Sequence, residues 1–566
     1  MISSEVDNAH ARNSSIPTTV MADGRVASAL RAPLLLVDER PYHRGLLRLP
    51  PHRVLVACAA VLGCAGVLGG KYLRQRLLLN AVVLEGTQSA PKAWSRCEWV
   101  VAQVEAHNAN KSQALRRKQY SVQSQDPNMF YRGTAYLFWH DFARGGWGEF
   151  NLSTLGPDAT RTQTPRTAAW TWITGDQHLS NFGAWRNRNN DVVYGVNDFD
   201  EAAIYDFHID IYRLAVSIYD HALSTSALGE ADADAAIGAF ADAYVQTLVG
   251  YVGNEKANLF EMTATQAASG HLHSFLKSVE GRAGAVEAQL RHFTAIGPDG
   301  RRRFVHSAET SLRPATEAEL AEFHRRWNAG AYGATLLKVG WHALPWDPEY
   351  FEIVDLAQRV DSGDGSFGVS RFYVLIKGPP AADGDGCQHV ILDVKQTPPP
   401  AMAAAIGGDD LAWWETIFIN EGARAVEAQR RLTCYTDPYT GWVELFGVTH
   451  VVRQRSPWKT GMDLSALGRG DAKALVKFAQ QVATVTATSH ARGSVGHSPA
   501  QFKDVVARAL GPDGARAAWA ARVLRTARAY RRQLLLDFEC FRDWAHDAYP
   551  PLEGEEDDYS VPSDDE

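Results

Sequence analysis

Apolar positions change period several times along this chain, and each change marks a different kind of element. Ala169, Trp170, Trp172 and Ile173 form a short apolar run that predicts a strand, as do Val192 to Val196, Arg371 to Lys377 and His389 to Lys395. From Ile209 to Val252 the spacing is helical, with Leu214, Ile218 and Ala222, then Ala239, Tyr244 and Leu248, at core-type intervals. Another helical stretch puts Leu475, Phe478, Ala479, Val482 and Val485 on one face and ends at His490, where a capping or core role is expected. Residues 268–345 are broken by Gly, Pro and Arg and read as a connection. Residues 1–40 have no period and many small polar residues, which predicts disorder. Val54 to Gly70 is an uncharged run between Arg53 and Lys71, about 25 Å of helix and at the lower limit for spanning a bilayer. It predicts one transmembrane anchor and single-pass membrane localisation, with orientation left open by arginines and lysines on both flanks.

Strands and helices in this mixture predict an α+β protein. With 566 residues, 45% apolar and 22% charged, the chain can bury a large two-lobed domain or two to three small ones. The net charge of -8 resides in the tail, since Pro551 to Glu566 holds eight acids and no bases. That tail reads as disordered and solvating, and the neutral remainder offers no basic stripe for nucleic acid. The cysteines, Cys58, Cys64, Cys97, Cys387, Cys434 and Cys540, show no Cys-x-x-Cys pair. Neither a zinc site nor a disulfide scaffold is expected, and a reducing compartment follows.

The chemistry concentrates in two blocks. Gly175-Asp176-Gln177-His178-Leu179-Ser180-Asn181 precedes Asn197-Asp198-Phe199-Asp200-Glu201, so an acid and an amide five residues apart are followed by two more acids. Phosphoryl transfer needs one carboxylate to orient and deprotonate the attacking hydroxyl, and hard oxygen ligands to hold magnesium on the phosphates. Asp176 suits the first task; Asn181 and Asp198 suit the second, with Asp200 as a further metal ligand. The second block, Arg359 to Gly368, carries Gly363, Gly365 and Gly368 in Gly-x-Gly-x-x-Gly spacing before two strands. Glycines there let backbone amides approach phosphates, and the strands that follow favour a lid over a dinucleotide-binding crossover.

Gly-Asp-x-His-x-x-Asn, Asp-Phe-Asp-Glu-Ala, and Asp210 before Arg213-Leu214-Ala215 together resemble the domain-of-unknown-function 2252 family, over roughly residues 125 to 545. Behind it stands a resemblance to the aminoglycoside-phosphotransferase branch of the protein-kinase-like fold. The resemblance implies a two-lobed kinase-like domain over 125–545, with the catalytic loop in 170–215 and the glycine loop and small lobe in 355–455. Residues 71–124 would join it to the membrane helix at 54–70, with 1–53 and 546–566 disordered. It further implies that Lys395 grips the α- and β-phosphates of ATP, that Glu427 (or Glu421) is its ion-pair partner, that His178 braces the loop, and that Asp210 anchors it. Val451-Val452-Arg453-Gln454 and Trp458-Lys459 match a further family strand and its trailing lysine. Two family features are altered: Gln396 stands in place of a glutamate, and Ser489 to Ser494 lacks an expected aspartate.

The blocks run in the reverse of the usual kinase order, so the domain must be circularly permuted, and Lys395 must approach Asp198 across some 190 residues of chain. The expected activity is ATP- and magnesium-dependent phosphoryl transfer to an acceptor the sequence does not identify. A nucleotide-binding regulatory protein without turnover, or a metal-dependent hydrolase using Asp176, His178, Asp198 and Asp200, are the alternatives.

Overall fold

Helix α1 (Arg96–Asn108) opens on a capping box, in which the Ser95 N–H donates to the Glu98 carboxylate and the Glu98 N–H donates to Ser95 Oγ. The computed structural model describes residues 95–550 except 145–146, 148–149, 153–165, 328–330, 338–345, 361–366, 381–387 and 495–500. These residues belong to one compact unit, 93–566. After α1 come α2 (Gln113–Gln123), α3 (Pro127–Gly133) and α4 (Ala135–Arg144). Asp126 starts α3 by accepting the N–H groups of Asn128 and Met129, with Pro127 at the first helical position.

Strands β1 (Trp170–Ile173), β2 (Phe182–Arg186), β3 (Val192–Val196) and β4 (Ala203–Asp206) follow, paired antiparallel as β1 with β4 and β2 with β3. Helix α5 (His208–Asp220) has all thirteen residues buried, as its apolar circumference requires. The helix expected over Ile209 to Val252 is in fact two. A π-helical turn at His221–Thr225 ends α5, and α6 (Glu230–Gly250) begins after Gly229. The break is tied down where Ser226 Oγ donates to the Leu467 carbonyl, 2.6 Å away.

A six-stranded antiparallel sheet holds β5 (Leu312–Pro314), β6 (Ile353–Arg359), β7 (Arg371–Ile376), β8 (Val390–Gln396), β9 (Gly441–Leu445) and β10 (Val448–Gln454), in the order β9-β10-β8-β7-β6-β5. Strand β7 is buried throughout, because both faces are covered. Phe372, Val374 and Ile376 pack with Phe323, Trp327 and Tyr332, while Tyr373 and Leu375 pack with Phe293 and Phe304. Residues 268–345 therefore do more than connect: they supply both covers and the edge strand β5. Between β8 and β9 lies α7 (Glu421–Leu432), capped by Asn420, which accepts the Ala423 N–H at 2.8 Å.

The larger core is mostly helical. Helix α8 (Ala472–Arg492) lies against α6, and the 36-residue α9 (Asp513–Ala548) packs on α5, α6 and α1. The Leu475, Phe478, Ala479, Val482 and Val485 face is buried as the periodicity predicts. A short strand, β11 (Thr460–Gly461), pairs with β2 and joins the two cores.

Two sequence expectations are corrected here. Cys97 and Cys540 form a disulfide across a sequence separation of 443 residues, so cysteine spacing could not disclose it. Docking of α1 on α9 aligns them, assisted by Arg96, which donates to Asp141 and Asp537, both at 2.6 Å. Single-pass membrane localisation is also withdrawn. No helix among the described residues is long and apolar enough to cross a membrane, and the run 54–70 lies outside them, as do 1–53 and 551–566.

Reduction should loosen the α1–α9 junction, since cross-links of this kind contribute roughly 2–5 kcal/mol. Thermal unfolding is expected several degrees lower with dithiothreitol, and Cys97→Ser should unfold at the reduced value with no response to the reagent. An unchanged midpoint on reduction of wild type would count against the bond.

Candidate functional site

The loop carrying Asp176 is hung from α5. Asp210 accepts the Thr174 N–H (2.8 Å), the Thr174 hydroxyl (2.9 Å) and the Gly175 N–H (2.9 Å). His490 Nε2 lies 3.1 Å from the same carboxylate and its Nδ1 2.8 Å from the Tyr244 hydroxyl, so α8 and α6 brace the anchor. Gly175 has φ +75°, and a Cβ there would sit 2.1 Å from the Glu201 carbonyl oxygen; only glycine can make this turn. The anchoring duty read for Asp210 and the core duty read for His490 both appear.

Asp176 sits beyond that turn, its Oδ1 accepting from Arg213 Nε. The guanidinium is fully buried, stacked 4.2 Å from the Tyr131 ring centre, and its Nη2 donates to the Tyr131 carbonyl. Burial pushes the Asp176 carboxyl above its ordinary value, Arg213 opposes this, and the nearby Asp198 charge adds to the rise. His178 Nε2 is 3.8 Å from Asp176 Oδ2, too far for a hydrogen bond. Burial and the charges of Arg132 and Arg213 hold the imidazole well below its ordinary pKa, hence neutral. Its backbone does the bracing: the His178 carbonyl accepts the Asn181 N–H at 2.9 Å. Asn181 Nδ2 in turn donates to the Asp176 carbonyl (2.8 Å), which fixes the amide beside the acid.

Strand β3 delivers Asp198, whose Oδ1 accepts the Asp200 N–H at 3.1 Å. Burial alone would raise this carboxyl, but the charges of Lys395, Arg453 and Lys459, with that N–H, hold it below its ordinary value. Lys395, near the end of β8, places Nζ 2.6 Å from Asp200 Oδ2. Segments nearly two hundred residues apart thus meet.

Three residues that sequence reasoning missed hold this meeting in place. Arg424 on α7, fully buried, donates to the carbonyls of Ala202 (2.7 Å), Asp200 (2.8 Å) and Pro398 (3.2 Å), and pairs with Glu421 at 2.6 Å. Glu201 accepts the Ala401 N–H at 2.5 Å, and burial lifts its carboxyl to about 7, aided by Asp176 and Asp200 and opposed by Ala401 and Arg424. Arg213 is the third. It lies three residues after Asp210, on the same helical face, a spacing that could have disclosed it. Nothing in sequence distinguishes Arg424 from a surface arginine.

Other expected site residues fall differently. Glu427 pairs with Arg431 at 2.7 Å on the outer side of α7, as an ordinary i,i+4 pair, and Glu421 is taken by Arg424. The carboxylate facing Lys395 is Asp200, so the assignment of Glu427 is corrected. Gly363 and Gly365 lie outside the described residues. Gly368, with φ +86°, stands at the β6–β7 turn as expected, with Leu115 and Lys111 of the α2 region packed where a Cβ would go. Among the described residues no group of three or more His, Cys, Asp or Glu side chains is arranged to hold a metal ion.

Glu201 makes a pH test possible. A carboxyl raised from 4.5 to about 7 by folding contributes stability below about pH 4.5 and loses it as pH rises through 7. Glu201→Gln should therefore flatten the decline of the unfolding midpoint between about pH 4.5 and 7 and leave the variant more stable at pH 8. Parallel wild-type and variant curves would refute the buried, neutral-leaning carboxyl.

No curated protein and no solved structure matches the chain. A family model does, over residues 112–544, which include every described residue of the site above. The chain belongs to the family described as "Uncharacterized protein conserved in bacteria (DUF2252)".

Proposed function

We propose that this protein is an ATP- and magnesium-dependent phosphotransferase with a permuted, two-lobed kinase-like domain. The observation that carries the proposal is the 2.6 Å pair between Lys395 and Asp200, beside Asp198 and Asp176. Kinases carry their phosphate-gripping lysine on the third strand of the small lobe, after a glycine-rich hairpin. Counted from the β6–β7 hairpin, β8 is that third strand. Separate cores around the six-stranded sheet and around the helices support two lobes.

The donor set suits magnesium, which prefers few protein oxygens and completes its shell with phosphate and water. Asn181 and Asp198 would hold the ion, with Asp200 joining once Lys395 turns to the phosphates. The bound ion would neutralise charge developing on the transferred group. Asp176, oriented by Arg213 and by Asn181 at its carbonyl, would take the acceptor proton, its raised pKa favouring that role.

The Arg213 grip also favours a second reading, a nucleotide binder without turnover, because a buried guanidinium occupies one oxygen of the proposed base. The hydrolase alternative draws less support, since His178 is out of hydrogen-bond reach of Asp176.

Thermal shift with Mg-ATP tests binding. A ligand at a hundredfold excess over Kd adds about 2.7 kcal/mol, a rise of roughly 3–6 °C for a domain of this size. The rise should require magnesium and vanish in Lys395→Ala and Asp198→Ala; persistence in both would end the proposal. Asp176→Asn should keep the rise yet lose labelled-phosphate release from ATP, by a factor of about 10² or more. No release from wild type, with binding intact, would favour the non-catalytic reading.

A further inference from the structure

A second concentration of positive charge lies at the end of β2. Arg186 is the last residue of that strand, and its guanidinium stacks 3.8 Å from the centre of the Trp458 ring. Such stacking fixes the plane of the fork without using its donors. Arg186 Nε and Trp458 Nε1 are both buried and have no hydrogen-bond acceptor. Among the described residues Arg186 makes no ion pair, and burial draws its pKa down. Buried donors are nearly always satisfied in folded proteins, and a desolvated cation without a counter-charge is costly.

Arg186 shares a small cavity with Arg453 and Lys459, beside Asn197. Arg453 is already engaged, with Nη1 on the Asn197 carbonyl at 3.2 Å and Nε 3.5 Å from Asp393. The cavity's one acid, Asp437, accepts the backbone N–H groups of Tyr439 (2.9 Å) and Gln454 (2.6 Å), and burial pushes its carboxyl upward. Its oxygens are thus directed at backbone. The cavity measures about 40 Å³, on a scale where one water needs about 10–15 Å³. That is room for a single oxyanion group.

We infer that this cavity is a binding site for a small oxyanion, a phosphate or carboxylate group, held chiefly by Arg186, with neither Lys395 nor Asp200 in its lining. It stands whether or not the chain transfers phosphoryl groups. The trailing lysine of the family motif, Lys459, gains a role as its second cation, and the site adjoins the backbone that delivers Asp198.

Calorimetric titration of the full chain with inorganic phosphate and, separately, citrate, at constant ionic strength in chloride, tests it. Wild type should bind at least one of them. Arg186→Ala should weaken that binding by at least about tenfold, as expected for loss of a charge-assisted pair, and Arg186→Lys by less. Lys395→Ala should bind as wild type does. Tryptophan emission should change on binding, through Trp458. Should Arg186→Ala fail to fold by circular dichroism, Lys459→Ala replaces it, with a weakening of about threefold or more expected. Absence of binding, binding untouched by Arg186→Ala (or by Lys459→Ala where that stands in), or equal loss in Lys395→Ala would each overturn the inference, the last by assigning the ion to the nucleotide cleft.

Discussion

The ion pair between Lys395 and Asp200 is the constraint around which the rest of the molecule is arranged. A lysine on the third strand of one sheet reaches a carboxylate on the loop after β3, and the two belong to different cores. An exposed pair at this distance would contribute at most about 1 kcal/mol and could not hold two cores together. Here the lysine is buried, its partner largely so, and Asp198, Asp176, Arg453 and Asp393 are close enough to influence one another. Gathering so many charges away from water is expensive unless each is paired and hydrogen-bonded. The site is affordable only because its supports are made elsewhere.

Those supports fall into two sets. From the helical core, Asp210 holds the Thr174–Gly175 turn, and His490 and Tyr244 hold Asp210. From the sheet side, Arg424 gathers carbonyls from both the Asp200–Ala202 loop and Pro398, while Glu201 reaches across to the Ala401 N–H. Each support satisfies backbone groups that would otherwise be buried without partners. The two loops bearing the acids are consequently each held by side chains outside the proposed chemistry. Asymmetry is notable: the helical anchor uses a carboxylate to collect N–H groups, and the sheet-side anchor uses a guanidinium to collect carbonyls. One fixes the Thr174–Gly175 turn and the other the Asp200–Ala202 segment, and the two segments meet where the Glu201 carbonyl lies against Gly175.

How much of this was legible depends on whether a feature is local. The strands at 170–173 and 192–196, the β7 and β8 runs, and the α8 face were readable because period and burial coincide within a few residues. Asp210 was readable through the family motif that places it ahead of Arg213-Leu214-Ala215 at the head of a helix. Glu427 was misread, since spacing along a helix fixes its face but not which neighbouring element that face meets; a one-turn difference gave the inner position to Arg424. The disulfide was invisible for a stronger reason. Its cysteines come from the first and last helices of the domain, and only the packing of α1 on α9 decides that they meet.

Chain order carries the last step. A site needs its groups near one another in space and is indifferent to which comes first. The acid-bearing loops lead here, and the six-stranded sheet follows, between α6 and α8. These two helices pack directly on one another, and the segment between them returns to the helical core through Met402, Trp414 and Leu432. That geometry lets the sheet be built as a separate core while β11 and Arg424 stitch it back. The described residues Phe293, Phe304, Phe323, Trp327 and Tyr332, from a stretch irregular in sequence, cover the two faces of β7.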